Sequence, residues 1–168
     1  YALTEEAFCG VLADVALDVE GPDAFLERAT AFCNGSVEGT LSCVVLIHPR
    51  TRTLARGAYE RALDDLRYGG IAVNVWAGLI YGLGSTTWGA FPGHTREQVG
   101  SGFGVVHYGL LLDHPEKSNL EAPFRQLVKP VYFPGYRTLR HVGRHLTTFG
   151  ARRSAPSFVA TLLAGLGA

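Results

Sequence analysis

Apolar and polar positions follow two periods over the first 75 residues of this chain. Phe8 to Leu17 (FCGVLADVAL) mixes β-branched and other apolar residues and predicts a strand. Gly21-Pro22-Asp23 breaks that run and opens a helix, because proline is pre-set for a first helical turn. Phe25, Leu26, Ala29 and Phe32 recur at helical spacing until Asn34-Gly35 ends the segment. Thr40 to Ile47 (TLSCVVLI) is a continuous apolar run between Gly39 and Pro49, the length and texture of a strand buried on both faces. Thr53 to Leu66 sets Leu54, Ala58, Ala62 and Leu66 on one stripe, a helix that Gly69-Gly70 stops. Ile71 to Val75 then begins another short apolar strand. Strand, helix, strand, helix, strand is the rhythm of a parallel sheet with helical crossovers. The predicted fold class is therefore α/β, with a mostly parallel βαβαβ core.

The pattern changes after Val75. Gly78 to Gly104 is rich in glycine, aromatics and Ser/Thr without a clean period, which predicts a long functional or interface loop. Val105 to Leu112 (VVHYGLLL) reads as a further strand, and Asp113-His-Pro-Glu-Lys117 as a polar turn. Leu139, Val142, Leu146 and Phe149 make one face of a late helix, with Arg137, Arg140 and Arg144 away from it. Pro156 to Leu166 predicts a second helix of small residues. Residues 1–112 are thus expected to form the main body and 113–168 a basic, partly helical extension.

Composition narrows the class. Of 168 residues, 47% are apolar and 18% charged, which excludes disorder driven by low hydrophobicity and high net charge. No apolar stretch reaches the ~20 residues of a membrane span. The chain opens at Tyr1 and holds no methionine, so it is expected to be a piece of a longer protein. From Gln126 onward there are six basic side chains and no carboxylate, whereas nine basic against fifteen acidic side chains precede it, a formal −6. The three cysteines (Cys9, Cys33, Cys43) lack CxxC spacing and sit among apolar residues, which predicts buried thiols in the cytoplasm.

Three segments in order resemble the later part of the catalytic domain of the aldehyde dehydrogenase superfamily. Thr4-Glu5-Glu6-Ala7-Phe8-Cys9-Gly10-Val11-Leu12 is similar to the family's Glu-Glu-x-Phe-Gly-Pro-Val motif. Leu66-Arg-Tyr-Gly-Gly-Ile-Ala-Val-Asn74 is similar to its helix, glycine, small strand, asparagine signature. Trp88-Gly-Ala-Phe-Pro-Gly93, followed by Ser101-Gly102, is similar to its Pro-Phe-Gly-Gly and Ser-Gly loop. The resemblance covers about the first hundred residues. Cys9 stands at the motif's glycine, Gly10 at its proline, and Thr87-Trp88-Gly89-Ala90 replaces Pro-Phe-Gly-Gly.

The resemblance implies an NAD(P)-dependent oxidoreductase that oxidises an aldehyde through a cysteine thiohemiacetal. Hydride transfer requires close placement of the nicotinamide, so its ribose must be fixed. The family gives that clamp to the second glutamate of the motif, here Glu6, and packs the motif's aromatic, here Phe8, beside the ring. The loop aromatic that borders the aldehyde tunnel is Trp88, with Trp76 and Leu79 as further lining. The nucleophilic cysteine, the general base and the dinucleotide-binding region would precede Tyr1, so the chain alone is expected to be inactive. On the residues alone, second readings stand: Glu6 as a surface carboxylate, Phe8 as core, Trp88 as a plug in a glycine-rich loop.

Other constellations fall short. Gly82-Leu-Gly84 begins like a dinucleotide fingerprint but lacks the third glycine and a following helix. His141 and His145 have metal-pair spacing without a third ligand, which predicts a solvated helix face. A sequence pI of about 7.2 argues against nucleic acid. The expected partners are an aldehyde, the N-terminal remainder of the protein and further copies of the chain, with no nucleic acid and no membrane. The alternative is a non-catalytic interaction or oligomerisation module derived from the same fold.

Overall fold

The computed structural model describes residues 3–5, 9–108, 111–126, 130, 133 and 135–166. The chain divides into two compact units, 1–124 and 125–168. Residues 113–124, read from sequence as the start of the extension, lie in the first unit.

The first unit is mixed α/β. Its helix α1 (Pro22–Ser36) opens on Pro22 after Gly21, whose φ of 82° suits glycine. It leads to strand β1 (Ser42–Val45), then to α2 (Pro49–Leu54), α3 (Arg56–Asp65) and strand β2 (Gly70–Val73). A short α4 (Gly78–Leu83), the two-residue β3 (Trp88–Gly89) and β4 (Val105–Val106), and strand β5 (Ser118–Glu121) complete it. The sheet runs β1-β2-β5, all parallel, with Ser42, Gly70 and Ser118 in register at its amino end and Val45, Val73 and Glu121 at its carboxyl end. β3 and β4 pair antiparallel as a separate ribbon.

β2 is wholly buried because it has a strand on each side and covered faces. Alternation sorts its side chains by size. Ile71 and Val73 join Tyr59, Leu63, Leu66 and Tyr68 in the main core. On the other face, a Cβ at Gly70 would meet Ile80 at 3.0 Å and the Trp88 ring at 3.6 Å, so glycine there lets α4 and β3 lie close to the sheet.

Several expectations are corrected. The strand read over Phe8–Leu17 is absent from the described residues: 9–20 carry no regular structure, and Leu12 is 92% exposed. A strand needs a neighbour for its backbone groups, and the sequence pattern supplies faces without a partner. β1, read as buried on both faces, is the outer strand of the described sheet and leaves Val44 47% exposed. The helix read over Thr53–Leu66 begins at Pro49, where the His48 ring nitrogen accepts from Arg50 N at 3.2 Å, and is interrupted at Ala55 (φ −103°, ψ 32°). That break turns Leu54 out of the stripe, to 80% exposure. The strand expected over 105–112 stops after Val106, because His107 and Tyr108 take left-handed φ of 60° and 50°. β5 was not foreseen: Ser-Asn-Leu-Glu has no apolar run.

The second unit holds α5 (Leu139–Arg152) and α6 (Ala155–Leu166), packed through Tyr136, Val142 and Ala164. Arg153, at φ 44°, caps α5, and Ser154 and Ser157 exchange backbone-to-hydroxyl bonds at the start of α6, a capping arrangement. The two predicted late helices are therefore present. Phe158, Val159, Leu162, Leu163 and Leu166 form an exposed stripe along α6. No helix among the described residues is long and apolar enough to cross a membrane.

Candidate functional site

The glycine- and aromatic-rich segment wraps around the amino end of the sheet. Thr40, just before β1, is its hub. The Thr40 carbonyl accepts from Gly69 N at 2.9 Å and from Phe91 N at 3.0 Å, and Thr40 N donates to Ser101 Oγ at 2.8 Å. Thr40 Oγ1 and His94 Nε2 are 2.7 Å apart, and the His94 ring occupies the space a Cβ on Gly100 would need. Thr87 Oγ1 meets Ser118 Oγ at 2.8 Å, tying the loop to β5. Lys117 donates to the Leu63, Asp64 and Leu66 carbonyls at the end of α3, and its ammonium lies 5.6 Å from the Phe91 ring centre. Two open clefts flank this loop. One, of about 350 Å³, runs past Cys33, Tyr68 and Gln98, and the other, of about 320 Å³, past Phe103, His114 and Pro115.

Trp88 is half-buried on β3, over Gly70, with Tyr81 edge-on to it at 5.9 Å between ring centres. Tyr81 in turn faces His107 at 5.1 Å, and His107 Nδ1 is buried with no hydrogen-bond partner among the described residues. The three rings pack against one another at aromatic contact distances. Trp76 stands elsewhere. It follows the carboxyl end of β2, is 55% exposed, and lays its indole over Gly78, whereas the Trp88 ring meets the first residue of β2. The described contacts do not bring the two tryptophans together. Glu6 and Phe8 lie outside the described residues. Leu3 lies inside them, and its carbonyl accepts from Glu38 N at 2.7 Å near the same amino-end rim.

Cys33 and Cys43 are not activated. Burial pushes Cys43 up to about 12, with Cys33 adding to the rise, and burial also raises Cys33. A nucleophilic cysteine needs the opposite shift. Cys9 is exposed, against the expectation of three buried thiols, at the start of a stretch, 9–20, that carries no regular structure. Gly82-Leu-Gly84 closes a helix instead of opening one: Gly84 is the left-handed cap of α4 at φ 64°. A helix's carboxyl end carries the wrong partial charge for phosphate. No cluster of three metal-ligating side chains occurs among the described residues, and His141 and His145 stack edge-on at 4.5 Å on α5.

At the carboxyl end of the sheet, Tyr59 OH donates to Glu121 Oε1 at 2.9 Å, and Arg52 pairs with Glu121 Oε2 at 2.9 Å while lying over the Tyr59 ring. Burial, with the Glu121 carboxylate second, pushes Tyr59 up to about 12, and burial with the two thiols does the same for Tyr68. The folded state thus favours the neutral phenols. Their contribution is complete below the unfolded pKa near 10 and is lost as pH rises towards 12. Urea midpoints are expected to fall steadily between about pH 9 and pH 12, and Tyr68→Phe to make that fall shallower. An identical slope in the variant would remove Tyr68 from the account.

Sequence reasoning missed Thr40, His94, Tyr81 and His107. Each is an ordinary residue in its own neighbourhood, and its partner lies more than 25 positions away for all but the Tyr81–Trp88 pair.

The fold and this rim define a mixed α/β protein built on a small parallel sheet, with an aromatic cluster and two clefts at the sheet's amino end. No protein-family model, curated protein or solved structure matches the chain.

Proposed function

We propose that this chain is the later part of the catalytic domain of an NAD(P)-dependent, aldehyde dehydrogenase-like oxidoreductase, acting on a small-molecule aldehyde and assembling with further copies of itself. The observation that supports this reading is that the third motif-bearing segment packs against the start of β2 in the second, at the amino end of the sheet. Leu3, next to the Glu-Glu motif, is held at Glu38; the second segment starts β2 at Gly70; Trp88 and Ser101 of the third lie against Gly70 and Thr40.

In this reading Glu6 holds the nicotinamide ribose, since a carboxylate accepts from two vicinal hydroxyls with its two oxygens. Phe8 packs beside the ring, and Trp88 lines the aldehyde path. A nicotinamide held by Glu6 and Phe8 would supply the hydride acceptor. The phosphates fall to protein outside this chain, in keeping with Gly84 ending a helix. The nucleophile also falls there, in keeping with the raised thiols.

The test joins the chain to its encoded upstream sequence and follows aldehyde-dependent NAD(P)H formation. Glu6→Ala is expected to lower kcat about 100-fold by misplacing the ring, with the urea midpoint unchanged. A rate equal to the parent's removes the clamp. The chain by itself is expected to give no turnover.

A second reading, a contact module that kept the fold without the chemistry, is favoured by the exposed apolar stripe of α6. Absence of NAD(P)H formation across aliphatic and aromatic aldehydes, with self-association intact, selects it.

A further inference from the structure

We propose that the second unit, the α5–α6 hairpin, is a docking surface for an anionic lipid membrane and lies in the headgroup layer without crossing it. The proposal is independent of the oxidoreductase reading and competes with the contact-module reading for the α6 stripe.

Two features coincide in this unit. The first is apolar. Phe158, Leu162 and Leu166 follow one another at four-residue spacing along α6, with Val159 and Leu163 beside them, and all five are 47% to 66% exposed. Ala164, on the opposite side of the helix, packs with Tyr136 and Val142, so the stripe faces away from the hairpin's own core. Leu139 and Leu146, one turn to either side of Val142 on α5, are exposed too.

The second feature is charge. The unit, 125–168, holds seven lysines and arginines and no aspartate or glutamate, so no side-chain ion pair within it offsets them. Arg137, Arg140, Arg144, Arg152 and Arg153 are all exposed. On α5, helical spacing sets Arg140 and Arg144 away from Val142, on the polar side. An apolar face joined to an arginine-rich polar face is the composition that lies in a bilayer interface, with aliphatic side chains among the acyl chains and guanidinium groups at the lipid phosphates. At about 1.5 Å per residue the 12-residue α6 is about 18 Å long, against about 30 Å of hydrocarbon, so it lies in the layer and does not cross it. The expectation of no membrane rests on the length of a span, which an interfacial element does not need.

Charge selects this occupant over the others. Two copies meeting stripe to stripe bring two basic units together with no side-chain carboxylate in either to offset them. Nucleic acid offers phosphate without an apolar layer and leaves Leu162 and Leu163 in water. An anionic bilayer satisfies both surfaces at once.

Flotation of the whole chain with lipid vesicles tests the proposal. Binding to mixed phosphatidylcholine–phosphatidylserine vesicles is expected to exceed binding to phosphatidylcholine alone at least about tenfold, and to fall as salt is raised. Leu162→Ser with Leu163→Ser, and separately Arg140→Gln with Arg144→Gln, are each expected to lower binding to the mixed vesicles about tenfold. All four positions are exposed, so the far-ultraviolet helix signal is expected to stay at the parent's value, which separates lost binding from lost fold. Failure of the parent chain to float with the mixed vesicles overturns the proposal. Unchanged binding by the leucine variant overturns it too: the contact is then charge alone, and a loss of self-association in that variant assigns the stripe to a second copy.

Discussion

Gly69→Ala is expected to destabilise the first unit by about 4 kcal/mol, a large share of the roughly 5–15 kcal/mol that holds a domain folded. A Cβ at position 69 collides with the Gly89 carbonyl and comes within 2.8 Å of the Ala90 carbonyl carbon. Both sides of the contact are pinned backbone. Gly69 N donates to Thr40 O, Gly69 O accepts from Ser118 N at 2.9 Å, and Phe91 N is held by the same Thr40 carbonyl. Neither strand can retreat without breaking the rim. Gly35→Ala gives the contrast: this glycine lies within α1 with open space around it, and alanine there is expected to add about 0.5–1 kcal/mol through helix propensity. Urea melts of both variants check the pair, and equal effects of the same sign would refute the steric account.

Lys117→Met is expected to cost about 3 kcal/mol and lower the melting temperature by about 10 °C. The Lys117 side chain is only 14% exposed, and its ammonium serves three carbonyls at the end of α3. Methionine keeps the stem and removes the donors, leaving those carbonyls at the negative end of the helix without their charged partner. The Phe91 ring also loses its cation, so the loop against the sheet's amino end is expected to loosen with the helix. Thermal melts of parent and variant measure the first effect, and exchange of the Phe91 amide the second. A melting temperature within about 2 °C of the parent would show that water replaces the ammonium at no cost.

These two positions show what was legible in advance. Gly69-Gly70 was readable as the stop of a helix, yet its larger duty, admitting the Gly89 backbone, depends on a segment twenty residues on. Lys117 sat inside a stretch read as a polar turn, and its partners lie more than fifty residues earlier. Trp88 was singled out through a resemblance, and its setting against Gly70, Tyr81 and His107 required the folded chain.

The local code of the sequence determined the elements that close upon themselves. α1 with its Gly-Pro-Asp opening, α3 with its apolar stripe and the late pair α5 and α6 all satisfy their own backbone within the segment or display a period that names their buried face. Tertiary structure decided whatever needed a distant partner. It left 9–20 without regular structure, made a strand of Ser118–Glu121, ended β4 after two residues and gathered Thr40, His94 and Ser101 into one cluster. A helix carries its hydrogen bonds within its own residues, whereas a strand or a rim borrows them from chain that sequence spacing does not identify.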